Sequence, residues 1–252
     1  MTARQDIAEQ ERTAQDGADR SPDDGATLAG PLRPNARDKI SLALREALIT
    51  GAIQPGRPMT LRGLAEELGT SPMPVREAIR GLAAEKALEI SSSGRITVPR
   101  MTPEKFSEIL KARSLLEPEV AVLALPHLTR NDVRRLQSID DRIDASLGNG
   151  DVAGYMRLNH AFHFAIYDAA RSDVLEPLIK SLWLQFGPFM RMVYGRVGTA
   201  ALVDHHKLAV DAIARNDANG LHMAIRLDIA EGMRLIGESI GADEQGPLPD
   251  AV

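Results

Sequence analysis

Between Asp38 and Glu85, apolar residues recur at helical intervals in three short blocks. Ile40, Leu44, Leu48 and Ile49 stand at i, i+4, i+8 and i+9, on one face of a helix. Gly51 closes that face and Pro55-Gly56 turns the chain. Leu61, Leu64, Ala65 and Leu68 mark a second helix, ended by Gly69-Thr70. Ser71 then occupies an N-cap position. Pro72 begins the third helix and Pro74 is still in its first turn, where a missing N–H costs nothing. That helix carries Val75, Ala78, Ile79 and Leu82 inward as far as Glu85. Beyond it the period falls to two. Leu88-Glu89-Ile90 and Arg95-Ile96-Thr97-Val98 alternate on either side of Ser91-Ser92-Ser93-Gly94, which predicts a hairpin. Three helices followed by a hairpin is the order of a winged helix-turn-helix.

From Thr102-Pro103 onward the pattern is helical throughout, in segments 103–124, 129–147, 151–170, 173–195, 199–215 and 217–240. Leu125-Pro126, Gly148-Asn149-Gly150 and Gly198 interrupt it. Such short connections favour antiparallel neighbours. The fold class expected is therefore mainly α, an N-terminal winged helix-turn-helix plus a C-terminal antiparallel all-α bundle. Residues 1–33 lack apolar periodicity and read as a disordered arm. Residues 34–100 form the winged helix-turn-helix head, 101–241 an all-helical domain, and 242–252 a disordered tail.

Composition narrows the chemistry. The 252 residues are 44% apolar but only 4% aromatic, a supply of Ala, Leu, Ile and Val that suits helices. Cysteine is absent, so no thiolate ligates a metal or attacks a substrate. No apolar run approaches the roughly 18–20 residues of a membrane span, and the first 20 residues hold no export signal, so a cytoplasmic protein is expected. The net charge of −5 is unevenly spread: −4 over residues 1–30, +4 over 31–100 and −5 over 101–252. A basic segment between acidic ones fits a nucleic-acid reader joined to something else.

On the third helix, Met73, Arg76 and Arg80 face away from the apolar stripe. An Arg near the start of a recognition helix can grip guanine with two hydrogen bonds, worth roughly 1–3 kcal/mol of discrimination. Arg62 on the preceding helix is placed to reach a phosphate. Gly94 lets the wing turn tightly, and Arg95 is a minor-groove candidate. With Ser71 at the helix start, these residues form the candidate interface to double-stranded operator DNA. The alternative for Arg76 and Arg80 is plain solvation of an exposed face. The runs Ile49-Thr50-Gly51-Ala52-Ile53-Gln54-Pro55-Gly56, Leu64-Ala65-Glu66-Glu67-Leu68-Gly69 and Ser71-Pro72-Met73-Pro74-Val75-Arg76-Glu77-Ala78-Ile79 resemble the GntR family of bacterial regulators over residues 36–100. By that resemblance Arg62 and Arg76 fall on DNA-contacting positions. Pro72 stands where many members carry a further Arg, and Lys86 where a Gly is usual.

In the helical half, polar residues interrupt stripes that should be buried. Arg113 lies among Phe106, Ile109, Leu110, Leu116 and Val120. Asn159 and His163 are one turn apart beside Tyr155, Phe162 and Ile166. His206 shares a stripe with Leu202, Ala209, Val210 and Ile213, and Asp228 with Leu221, Ile225 and Leu235. Buried charge without a partner costs several kcal/mol, so these residues need one another or a ligand. Converging, Asn159, His163, His206 and Asp228 would make a mixed N/O site for Zn²⁺, Ni²⁺ or Mn²⁺, with Arg113 as a fork for an anionic effector. The competing readings are core histidines and an ion pair of Asp228 with Arg113. The motifs Ala112-Arg113-Ser114-Leu115-Leu116-Glu117, Asn159-His160-Ala161-Phe162-His163 and His206-Lys207-Leu208-Ala209-Val210-Asp211-Ala212-Ile213 resemble the FCD ligand-sensing domain of the FadR subgroup, over residues 103–236. That resemblance implies a divalent metal, a small organic acid effector and a homodimer. It places Asp228 where the last of the family's histidines stands. Three functions follow in order: an effector-modulated DNA-binding regulator, the same regulator with a metal-free pocket or a plain dimerisation domain, and a metal-dependent hydrolase with Glu117 as the nearest base.

Overall fold

The computed structural model describes residues 36–197 and 205–244. The arm expected over 1–33, the break at Gly198 and the tail from 245 onward lie outside the described residues. The first helices are α1 (Ala36–Ile49), α2 (Leu61–Glu67) and α3 (Pro72–Ala84), followed by strands β1 (Glu89–Ile90) and β2 (Ile96–Thr97). Ile40, Leu44, Leu48, Leu64, Ala65, Val75, Ala78, Ile79 and Leu82 are all buried, as their spacing predicts. The strands pair antiparallel, Glu89 opposite Thr97 and Ile90 opposite Ile96. Gly94 at φ +78° makes the turn. Periodicity gave no sign of a third partner. Met59, just before α2, exchanges two backbone hydrogen bonds with Ile96, 2.8 and 2.9 Å, and ties the wing to the helices.

Two local details differ from expectation. Ser71 is the N-cap of α3 by position, yet its hydroxyl makes no capping bond. The N3 residue, whose N–H a cap commonly takes, is Pro74 and has none. At the other end of α3, Lys86 adopts the left-handed conformation, φ 61°. The Lys86 N–H bonds to the Ala83 carbonyl and the Ala87 N–H to the Leu82 carbonyl, the pair of bonds that closes a Schellman motif. A glycine would enter that conformation without strain, which accounts for the residue usual at this place.

The remaining helices are α4 (Pro103–Ala124), α5 (Arg130–Gly148), α6 (Val152–Tyr167), α7 (Leu175–Val197), α8 (His206–Ala214) and α9 (Ala218–Glu244). Their starts are written locally. Thr102 accepts from the Lys105 N–H with Pro103 in first position. Thr129 and Asp132 form a capping box. Asp151 and Asp217 accept from the Gly154 and Gly220 N–H groups. α9 runs four residues beyond its expected end at 240, through Gly-Ala-Asp-Glu.

α4 packs along α9, α5 against α6, and α8 between α5 and α9, while α7 lies against both α4 and α1. Head and bundle belong to one compact unit. Their joint is specific. A Cβ on Gly187 of α7 would lie 3.0 Å from Ile49 Cα and from the Leu48 carbonyl oxygen of α1, so the helices cross there with only a hydrogen between them. The Ser181 hydroxyl donates to the Glu85 carbonyl at 2.9 Å, and Arg191 Nη1 to the Thr50 carbonyl at 3.4 Å.

Candidate metal centre and DNA-reading face

On the head, Met73, Arg76 and Arg80 project from α3 into solvent, and Ser71 and Arg95 are also exposed. Arg76 and Arg80 make no ion pair among the described residues, so both guanidinium groups are available to another molecule. Arg62 makes an exposed one-turn pair with Glu66, Nε to Oε1 3.1 Å, of the kind easily exchanged for a phosphate.

In the bundle, Arg113, Asn159, His163 and Asp228 line one cavity of about 20 Å³, with Tyr155, Met190, Ile229, Gly232 and Met233 completing its wall. His206 joins them: ligand atoms of His163, His206 and Asp228 all lie within 4.8 Å of one another. His163 Nε2 is 3.1 Å from Asp228 Oδ2, and His206 Nε2 is 3.7 Å from Asp228 Oδ1. Donors about 2.0–2.2 Å from a common tetrahedral ion stand roughly 3.3–3.6 Å apart, and these two separations bracket that range. The Asn159 side chain is 5% exposed and lines the cavity. An amide so placed can offer its oxygen to a ligand. The donor set fits a divalent cation, with Asn159, His163, His206 and Asp228 as the residues that would hold it. A cavity of this size admits about one water or one ion.

Asp228 also caps α8, accepting the His205 N–H at 3.0 Å. Burial raises its pKa, but the imidazole of His206, the hydrogen bond and charge of His163 and the His205 N–H together hold it well below the ordinary carboxylate range. Asp140 of α5, 3% exposed, stands behind His206, Oδ1 to Nδ1 3.4 Å. This residue was missed in the sequence, although Leu136, Ile139, Asp140 and Ile143 trace a buried stripe that exposes the signal.

Arg113 does not pair with Asp228. Its Nε and Nη2 engage Glu117, one turn along α4, with Nη2 at 3.2 Å from Oε2. The guanidinium lies over Phe186 at 3.8 Å and Trp183 at 4.7 Å. Glu117 Oε2 also accepts from the Tyr167 hydroxyl at 2.9 Å and from Trp183 Nε1 at 3.2 Å. Tyr167 in turn contacts His163 Nδ1 at 3.0 Å. Tyr167 went unread in the sequence; it continues the stripe Tyr155, Asn159, His163 by one more turn. Its phenol pKa is raised well above the usual value by burial and by Glu117. His160 stacks on Phe164 at 4.2 Å and meets the edge of Trp183. Burial, with His163 and Lys180 nearby, lowers its pKa to about 4.

The profile for bacterial regulatory proteins of the gntR family matches residues 36–98, and that of the FCD domain residues 108–231. The HTH-type transcriptional regulator McbR of Escherichia coli K12 is 31% identical over 180 residues, 70% of this chain and 81% of McbR. The chain belongs to the GntR family. As a GntR regulator with an FCD domain, it is a DNA-binding transcription regulator, not an enzyme. The solved structure of E. coli McbR/YncC superposes with a TM-score of 0.76 at 27% identity, covering 81% of this GntR chain and 97% of that one. The galactonate operon transcriptional repressor of E. coli K12 is 26% identical over 226 residues, 81% of this chain and 98% of the repressor. No helix among the described residues is long and apolar enough to cross a membrane.

Proposed function

We propose that this GntR regulator is an operon repressor whose operator affinity responds to a small organic acid bound at a divalent-metal site. The observation that carries the reading is that Asn159, His163 and Asp228 line one ion-sized cavity, with His206 within ligand reach of His163 and Asp228, in a bundle packed against a head with exposed arginines on its third helix. Two nitrogen and two oxygen donors suit Zn²⁺, Ni²⁺ or Mn²⁺. Bound there, the ion would supply positive charge for an effector carboxylate. Arg113 lines the same wall, and its share in holding the carboxylate requires loosening its pair with Glu117.

The cavity is too small for an organic acid as it stands, so entry must move a wall. Met190 of α7 forms part of that wall, and Gly187, one turn earlier, presses on α1. A ligand that prefers a shifted α7 thereby shifts the population of head positions, and with it operator affinity. Repression through a two-fold operator needs two heads. Leu115 and Leu123 on α4 and Met223 and Leu227 on the adjoining α9 are exposed apolar side chains, a surface that supports a homodimer.

A second reading, the metal-free effector pocket, has its own observation. A groove of about 930 Å³ runs between α1, α6 and α7, lined by Leu42, Ile49, Arg157, His160, Lys180 and Leu184 among others. It is roomy enough for an organic ligand. Binding of the protein to its own upstream DNA, with and without Zn²⁺ and a set of small organic acids, tests both. Response to an acid only when metal is present supports the metal site. An equal response after chelation moves the effector to the groove. In the same assay Arg76→Ala should weaken sequence-selective binding about 10- to 100-fold. Retention of full selectivity would remove α3 as the recognition helix.

A further inference from the structure

The hydrogen bonds from α4 to α6 run in one direction only. Arg113 clasps Glu117 through two nitrogens, and Trp183 Nε1, which can only donate, points at the same carboxylate. Glu117 is therefore the acceptor toward every neighbour, and Tyr167 must spend its single hydroxyl hydrogen on Glu117 Oε2. The phenol oxygen is left to accept. His163 Nδ1, 3.0 Å away, must then carry the proton it donates. The opposite nitrogen, Nε2, faces Asp228 and the cavity.

We propose that Tyr167, polarised by Glu117, is a positioning residue that fixes His163 with its proton on Nδ1 and so presents Nε2 to a divalent ion. The proposal rests on the metal reading of the site. Free neutral imidazole spreads its proton over both nitrogens, and an ion binding at Nε2 must first pay for excluding the form protonated there. A hydrogen bond at the far nitrogen lowers that cost against the pull of the Asp228 carboxylate on a proton at Nε2, holds the ring plane and raises ligand basicity. Trp183 and Phe186, stacked about the Arg113 guanidinium, keep the source of the relay rigid. His206 is arranged alike, its Nδ1 toward Asp140 and its Nε2 toward Asp228.

The test uses the full chain, Zn²⁺ and Mn²⁺ as probes, and the variant Tyr167→Phe, which keeps the ring and removes only the hydroxyl. Calorimetric titration should show affinity falling about 10- to 100-fold, in a variant whose cooperative thermal unfolding shows it to be folded. Nitrogen NMR of histidine-labelled protein, with His163 assigned through His163→Gln, supplies a readout that packing alone would not move. In the wild type, Nδ1 should be protonated with and without Zn²⁺, and Tyr167→Phe should shift the population toward protonation at Nε2. Unchanged affinity together with an unchanged His163 signal overturns the proposal. If Tyr167→Phe fails to fold, the wild-type spectrum decides alone, since an unprotonated Nδ1 is incompatible with the relay. A wild type that binds neither ion refutes the metal reading, while the His163 spectrum still judges the relay.

Discussion

Lys86 shows how much one residue can reveal about local conformation. It holds φ 61° at the end of α3, a conformation that costs an L-residue with a Cβ roughly 1–2 kcal/mol. Because glycine loses more backbone freedom on folding, part of that gain is returned. Lys86→Gly should therefore stabilise the protein by about 0.5–1 kcal/mol, read from the urea midpoint at unchanged slope. A lower midpoint would mean that the lysine side chain holds the turn. Ser71 teaches the complementary lesson. Its place in sequence marks the start of α3 correctly, but the hydroxyl caps nothing because Pro74 lacks the N–H. A side chain expected to serve the helix is left exposed.

At the scale of elements, α4, α6 and α7 are joined through a buried ion pair. Arg113 is 4% and Glu117 0% exposed, and each satisfies the other while Tyr167 and Trp183 saturate the carboxylate. Removing one partner of such a pair leaves an uncompensated charge, at a cost of about 3–5 kcal/mol, whereas replacing both with apolar residues of similar volume is often neutral. Glu117→Ala should accordingly lower stability severely in chemical denaturation. The double replacement Arg113→Met with Glu117→Leu should regain most of the loss. Equal damage from single and double variants would show that the hydrogen bonds to Tyr167 and Trp183 outweigh the charge. The sequence placed Arg113 on the correct face but gave its partner as Asp228 or a ligand. A one-turn spacing such as Arg113 to Glu117 was visible all along; which contact wins depends on the rings of α7 closing over it.

For the whole molecule, the decisive element is α7, which touches the cavity with Met190 and the head with Gly187. Adding a methyl group at Gly187 would set it 3.0 Å from backbone atoms of α1, which cannot rotate away as a side chain can. Gly187→Ala should push head and bundle apart by a few tenths of an ångström. Both parts should still fold, so operator binding without ligand and Zn²⁺ uptake should survive. The ratio of operator affinities measured with and without the responding acid, Zn²⁺ being present throughout, however, should shrink toward one. If that ratio is unaltered, coupling passes by another route, such as the chain between β2 and α4.

The sequence by itself determined the elements and their faces. α4 begins at Pro103 and ends at Ala124 as its pattern predicts, because a cap, a proline and an apolar stripe act within a few residues of one another. It also located Asn159, His163, His206 and Asp228 as polar residues in buried stripes, since a helix's period is a local property. Only the tertiary structure decided what those residues face. Asp140 behind His206, Tyr167 between Glu117 and His163, and Met59 beside Ile96 are relations between segments far apart in the chain. Their distances are set by how whole helices cross, through packing at points such as Gly187, and no periodicity along one strand of sequence encodes a crossing.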